Sequence, residues 1–255
     1  MNRRGPGCRP GACRYHHCVA ECLVVAVDGP SGSGKSSAAR GTAQALGLRY
    51  LDTGAMYRAL TWWLLASRVD VDDAAAVAAR AARPAIEVST DPDAPSVTVD
   101  GTDVTGPIRD RPVSNAVSAV ASVPEVRRHL IAQQQEIIAT ACAEAGGIVA
   151  EGRDIGTVVA PGAAVKVFLT ASETVRARRR AADLAADPAA TVELTRAEQA
   201  RRDRLDSPQS ERAADAVPID STALDVAGVV AAIVGLAQAR QPAADGPGAR
   251  PARRA

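Results

Sequence analysis

The run Gly29-Pro30-Ser31-Gly32-Ser33-Gly34-Lys35-Ser36 follows the pattern G-x-x-x-x-G-K-[ST], and it constrains this chain more than any other feature. It lies between an apolar run, LVVAVD over 23–28, and a helix-forming segment over 35–46. That context requires a buried strand, a tight loop, and a helix that starts at once. Glycines let the loop curl so that successive backbone N–H groups face one phosphate, and the helix N-terminus adds the positive end of its dipole. Lys35 is then the residue that bridges the outer phosphates of a nucleoside triphosphate, and Ser36 the one that offers its hydroxyl to Mg²⁺. Residues Gly29 to Ser37 are the expected donor site.

The pattern continues as an α/β fold. Gly47 closes the first helix, 49–51 reads as a second strand, and Asp52-Thr53 supply an N-cap for a helix to about 66. An Ala-rich helix is expected over 73–82. Between 85 and 105 the runs shorten to AIEVST, SVTVDG and TDVTG, broken by Pro92, Pro95 and Gly101, as in a small antiparallel insert. Helices follow over 110–121 and 124–143, with Pro124 in a first-turn position. Strands at 148–151 and 165–169 alternate with helices, the mark of an open parallel sheet. Further helices are expected over 172–186 and 191–205, then a last strand at 216–219 and a helix over 225–239.

Length and charge narrow the class. A chain of 255 residues, 47% hydrophobic, buries one main core with a smaller satellite. Thirty basic and 29 acidic residues leave a formal charge of +1, too little for a nucleic-acid polymer or an anionic membrane as main partner. No apolar run approaches the roughly 20 residues of a membrane span, and no secretory h-region opens the chain. A cytoplasmic monomer is expected. Only Lys35 and Lys166 of the 30 basic residues are lysines. Cys8, Cys13, Cys18 and Cys22, with His16 and His17, crowd the N-terminus, but their spacing is not that of paired zinc ligands. Residues 1–21 read as a disordered or mis-annotated extension, and 241–255 as a disordered tail.

The phosphate loop does not name an acceptor. The N-K-x-D motif of guanine-specific GTPases is missing, since the two asparagines, Asn2 and Asn115, are not followed by lysine. An acceptor phosphate brought up to a γ-phosphate needs cations to offset repulsion, and Arg58, Arg109 and Arg153 each follow a loop or open a helix, where a guanidinium can reach a cleft.

Six segments, GPSGSGKSS, DTGAMYR, GTDVTGPIR, SNAVSAVASVPEVR, EGRDIGT and RRDRLDS, occur in an order and spacing that resemble a bacterial cytidylate kinase, from about Leu23 to Ile233. The resemblance implies a P-loop kinase fold with a core over 22–54 and 146–240, a nucleoside-monophosphate lobe over 55–145 and a short lid near 172–212. It implies transfer of the γ-phosphate of ATP to CMP or dCMP with Mg²⁺. By the family pattern Arg58 and Arg153 hold the acceptor phosphate, with Lys35 as their catalytic partner. Ser118, Arg127 and Asp154 read the cytosine edge, Arg202 and Asp206 bind the ribose, and Thr53 and Arg109 complete the CMP site. Arg176, Arg178, Arg179 and Arg180 resemble lid arginines, and Asp52 and Glu151 are candidates to hold Mg²⁺ through waters.

One departure stands out. The family continues from the aspartate as D-S-x-R-x-x-x-P-L, whereas here Asp206 is followed by Ser207-Pro208-Gln209-Ser210-Glu211-Arg212, with Gln209 at the arginine position. That departure motivates one alternative, a nucleotide-binding protein whose acceptor site has decayed; a kinase of another small acceptor, UMP or a metabolite, is the other.

Overall fold

The computed structural model describes residues 22–183, 192–206 and 210–240. The segments expected to be disordered, 1–21 and 241–255, lie outside these residues, as does Gln209. The core is a five-stranded parallel sheet in the order β2-β6-β1-β7-β8. Its strands are β1 (Leu23–Asp28), β2 (Arg49–Asp52), β6 (Gly147–Gly152), β7 (Val165–Thr170) and β8 (Val217–Asp220).

The two faces of this sheet follow from strand periodicity. Val24 and Ala26 of β1, with Ile148 and Ala150 of β6, point into one cluster; Val25, Val27 and Val149 point into the other. Strands buried on both faces must be apolar at every position rather than alternating, hence LVVAVD. Helices α1 (Lys35–Leu46) and α8 (Val226–Arg240) cover the second face, where a Cβ on Gly41 would lie 2.8 Å from Val230. Helices α2 (Thr53–Ala66) and α5 (Pro124–Ala145) cover the first.

The small insert is β3 (Ile86–Val88), β4 (Val97–Val99) and β5 (Thr102–Asp103), antiparallel in that order. Asp100 and Gly101 both take positive φ (49° and 77°), the backbone of a two-residue hairpin turn. Ile86, Val97 and Val99 drop into the first-face cluster, so the insert packs on α2.

The helix expected over 73–82 is shorter. Asp73 caps α3 (Ala74–Ala78) through the amides of Ala75 and Ala76. Beyond it the amides of Arg80, Ala81 and Arg83 bond three residues back, so the chain tightens into turns before Pro84.

Helix α4 (Arg111–Ser122) runs into α5, while α6 (Glu173–Asp183) and α7 (Val192–Asp206) form an arm packed together and against α4. No described helix is long and apolar enough to cross a membrane. Cys22 is joined to Cys142 of α5 by a disulfide, so the one N-terminal cysteine within the described residues is a core crosslink.

Candidate active site

The phosphate loop leaves β1 at Gly29, whose φ of 148° and whose approach to β7 leave no space for a side chain: a Cβ there would lie 2.1 Å from the carbonyl oxygen of Leu169. Lys35 opens α1, is buried, and donates from Nζ to the carbonyl of Pro30 at 2.9 Å, inside the curl of the loop. Ser36 and Ser37 follow on the exposed side.

Carboxylates gather beneath the loop. Glu151, buried at the end of β6, accepts from the Tyr50 hydroxyl at 2.7 Å and lies beside the Ser36 hydroxyl. Burial, then the neighbouring Asp52, raises its pKa, and burial together with Arg153 lowers that of Lys35. Burial also pushes the Tyr50 hydroxyl far up. Asp52 caps α2 by accepting from Ala55 N at 2.9 Å, and its other oxygen faces Arg109 at 3.7 Å. Thr53 Oγ1 donates to the carbonyl of Glu151 at 2.7 Å, so Thr53 ties β2 to β6.

After β6, Gly152 must be glycine because a Cβ would meet Thr53 Oγ1 at 2.6 Å. The chain then forms a π-helical turn, Ile155–Val159. Its start is fixed by Asp28, the last residue of β1, whose buried carboxylate accepts from the amides of Ile155 (2.9 Å) and Gly156 (2.8 Å). Arg153 turns toward the phosphate loop and donates to the carbonyl of Gly29 at 2.7 Å and to Asp206 at 3.2 Å. Asp154 turns the other way and is paired with Arg127 of α5. Between α2, α4 and α5, the hydroxyl of Ser118 is buried with no partner among the described residues.

Arginines from four elements converge opposite the phosphate loop. Arg58 of α2 donates to Ser114 at 2.8 Å, and its pKa is lowered by burial and then by Arg202 and Arg180. Arg202 of α7 is pushed down to about 10 by burial and by Arg153. Four cations this close, in a partly dehydrated cleft, form a site for a multiply charged anion.

The arm helices reach the loop as well. Arg176 donates to the carbonyl of Ser31 at 3.0 Å and pairs with Asp203 at 2.5 Å. Arg179 donates to the carbonyl of Ser33 at 3.3 Å and to Ser221 at 2.9 Å.

The expected site residues thus sort clearly. Lys35, Arg58, Arg153, Arg176, Arg179, Arg180 and Arg202 are brought together around one cleft, and Arg127, Asp154 and Ser118 beside it. Arg178 of the four expected lid arginines is exposed, and at 100° per residue it lies opposite Arg176 and Arg180. Asp206 pairs with Arg153 rather than Arg202. Arg212, three residues beyond position 209, is exposed. Lys166 pairs with Asp215, away from the loop. Sequence reasoning missed Asp28, Ser114 and Ser221, none of which has a recognisable local pattern.

The family model for cytidylate kinase matches residues 25–239. A cytidylate kinase of Streptomyces griseus is 49% identical over 224 residues, 87% of this chain and 95% of that relative. One of Streptomyces coelicolor is 48% identical over 227 residues, 88% and 96% of the two chains. One of Geobacillus kaustophilus is 46% identical over 223 residues, 86% and 97%.

Proposed function

Because the chain belongs to the cytidylate kinase family, we propose that it transfers the γ-phosphate of ATP to CMP or dCMP, giving ADP and CDP or dCDP, with the cleft described above as its active site. The observation that carries this reading is the convergence of Arg58, Arg153, Arg180 and Arg202 opposite the phosphate loop. A nucleotide phosphate of about two negative charges is the partner that this set of guanidinium groups fits.

On the donor side, the backbone N–H groups of the Gly29 to Ser37 loop, Pro30 excepted, and the ammonium of Lys35 hold the β- and γ-phosphates. Ser36, with Glu151 beside it and Asp52 near, is an all-oxygen donor set that suits a hard cation, with the carboxylates reaching it through water. Mg²⁺ bound there would offset charge on the β- and γ-phosphates. On the acceptor side, Arg58 and Arg153 grip the phosphate, with Arg109 at the rim. Ser118, Arg127 and Asp154 face the cytosine edge: the unpartnered Ser118 hydroxyl and the Arg127–Asp154 pair supply donors and an acceptor for a carbonyl, a ring nitrogen and an amino group. Arg202 and Asp206 lie where a ribose would meet α7.

No general base is needed, because the acceptor phosphate is itself the nucleophile and positioning carries the rate enhancement. Residues 55–145 act as the acceptor lobe and 172–212 as the lid, around the core at 22–54 and 146–240. Lid arginines Arg176 and Arg179 serve the donor and Arg180 the acceptor, and closure excludes water that would otherwise hydrolyse ATP. The enzyme acts as a monomer where ATP and CMP are held, in the cytoplasm.

The test is ADP production from ATP and Mg²⁺ with CMP, dCMP, UMP, AMP or no acceptor. Stimulation by CMP and dCMP over UMP and AMP is expected. ATP binding with no stimulation by any acceptor would overturn the reading and point to a decayed acceptor site.

A further inference from the structure

Ser114 opens the segment SNAVSAVASVPEVR without any of the roles expected of Ser118 or Arg127. It is buried, in the first turn of α4. Its oxygen accepts from Nη1 of Arg58 at 2.8 Å and from Nη2 of Arg180 at 3.0 Å, and its own hydrogen is directed to the carbonyl of Arg109 at 3.4 Å. A hydroxyl has one proton to donate and two lone pairs, so the capacity of Ser114 is filled. The two guanidinium groups come from different parts of the molecule: Arg58 from α2 in the lobe, Arg180 from α6 in the lid. Two like charges converge on one neutral oxygen, and each is held beside the other at the cleft.

A second contact on the same face of α4 has the same direction. Arg111, three residues before Ser114, donates from Nε and Nη2 to Glu198 of α7 at 3.1 and 2.7 Å. Positions three apart share a helix face. Helix α4 therefore meets α6 through Ser114 and α7 through Arg111, and the space left between them is a cavity of about 10 Å³.

We propose that Ser114 is a positioning residue for phosphoryl transfer: its hydroxyl is the shared point that fixes Arg58 of the lobe and Arg180 of the lid, so that lid closure and assembly of the acceptor-phosphate arginines are one event. This rests on reading the cleft as the CMP phosphate site. An acceptor phosphate entering there meets both arginines already aimed, and replaces or joins the hydroxyl among their acceptors.

The experiment compares wild type, Ser114→Ala, Ser114→Thr, Arg180→Ala and the Ser114→Ala/Arg180→Ala double variant. In steady state with CMP, Ser114→Ala is expected to raise KM for CMP and lower kcat, together costing about tenfold in kcat/KM as one hydrogen-bonded hub is lost, with KM for ATP unchanged. Ser114→Thr, which keeps the oxygen, should recover most of the loss. The double variant should lose less than the product of the two single losses, since both variants break the Ser114–Arg180 link. Multiplicative losses, an equal rise in KM for ATP, or a threonine variant no better than alanine would overturn the proposal. Amide exchange in the nucleotide-free protein separates this from the substrate assignment: residues 173–183 should exchange several-fold faster in Ser114→Ala than in wild type. Equal protection in both would sink the proposal whichever nucleotide the enzyme uses, whereas faster exchange with a wild type inert toward CMP would leave the latch standing and discard only the CMP reading.

Discussion

Arg153 donates to the carbonyl oxygen of Gly29 at 2.7 Å, joining the loop after β6 to the first residue of the phosphate loop across 124 positions of sequence. Its Nε also reaches Asp206 at the end of α7. One planar guanidinium therefore spans the donor loop, the acceptor cleft and the arm.

Replacing Arg153 by alanine removes a charge-assisted contact of about 1.5–3 kcal/mol from the acceptor side, so kcat/KM for CMP should fall by about ten- to hundredfold. Lysine should restore little, because a point charge cannot make the forked contacts of a guanidinium. Initial rates at saturating ATP and varied CMP test this; a lysine variant with wild-type kinetics would show that only charge matters here.

Asp28 should matter through geometry. Its two oxygens hold the amides of Ile155 and Gly156, so they fix where Arg153 and Asp154 begin. Asp28→Asn leaves one acceptor oxygen and sets an NH₂ against a backbone N–H. An unsatisfied buried donor costs about 1–3 kcal/mol, which in a protein of this size is a fall in Tm of about 3–10 °C. KM for CMP should rise with it while KM for ATP changes less; calorimetry and the same kinetic assay measure both.

What the sequence disclosed depended on range. Strand β1 was readable because a strand buried on both faces is a continuous apolar run, and the hairpin at Asp100-Gly101 because a turn with two positive φ angles selects those residues. The clustering of Arg58 and Arg153 was readable from motif order. That Arg178 lies opposite Arg176 and Arg180 follows from helical rotation, but only the docking of α6 decides which face is inward. Asp28, Ser114 and Ser221 were not legible: each acts on a partner between 40 and 190 positions away, and a lone aspartate or serine has no local pattern. The π-helical turn at Ile155–Val159 was hidden for a related reason, since IGTVV by propensity reads as strand or loop, and Asp28 is what winds it.

Glu151 supplies a pH signature. Burial and Asp52 raise its pKa above the ordinary 4.5, so the native state keeps a proton that the unfolded chain has released. Native protein then binds more protons than unfolded as pH climbs from 4.5 into the neutral range, and over that window this group's contribution to stability falls. Glu151→Gln removes this titrating group. Urea unfolding at several pH values should show a flatter profile in the variant than in wild type, and identical profiles would place the titration elsewhere.

The Cys22–Cys142 bond closes a loop of 120 positions that contains the phosphate loop and helices α2 to α4. Both sulfurs lie in or against the core cluster under the sheet's first face, away from the arginine cleft. Closing so long a loop restricts the unfolded chain, and removing such a link typically costs about 2–4 kcal/mol. Reduction should therefore lower the urea midpoint while leaving kcat and KM for CMP unchanged, because no residue of the cleft depends on the sulfurs for its position. A reducing cytoplasm keeps such thiols apart, so an enzyme working there must function without the bond. Cys142→Ser should match the reduced protein in stability and the oxidised protein in rate. If reduction abolished transfer while the fold persisted, α5 would have to be relaying the change from Cys142 to Arg127 at its other end, and the bond would belong to the working enzyme rather than to its stability alone.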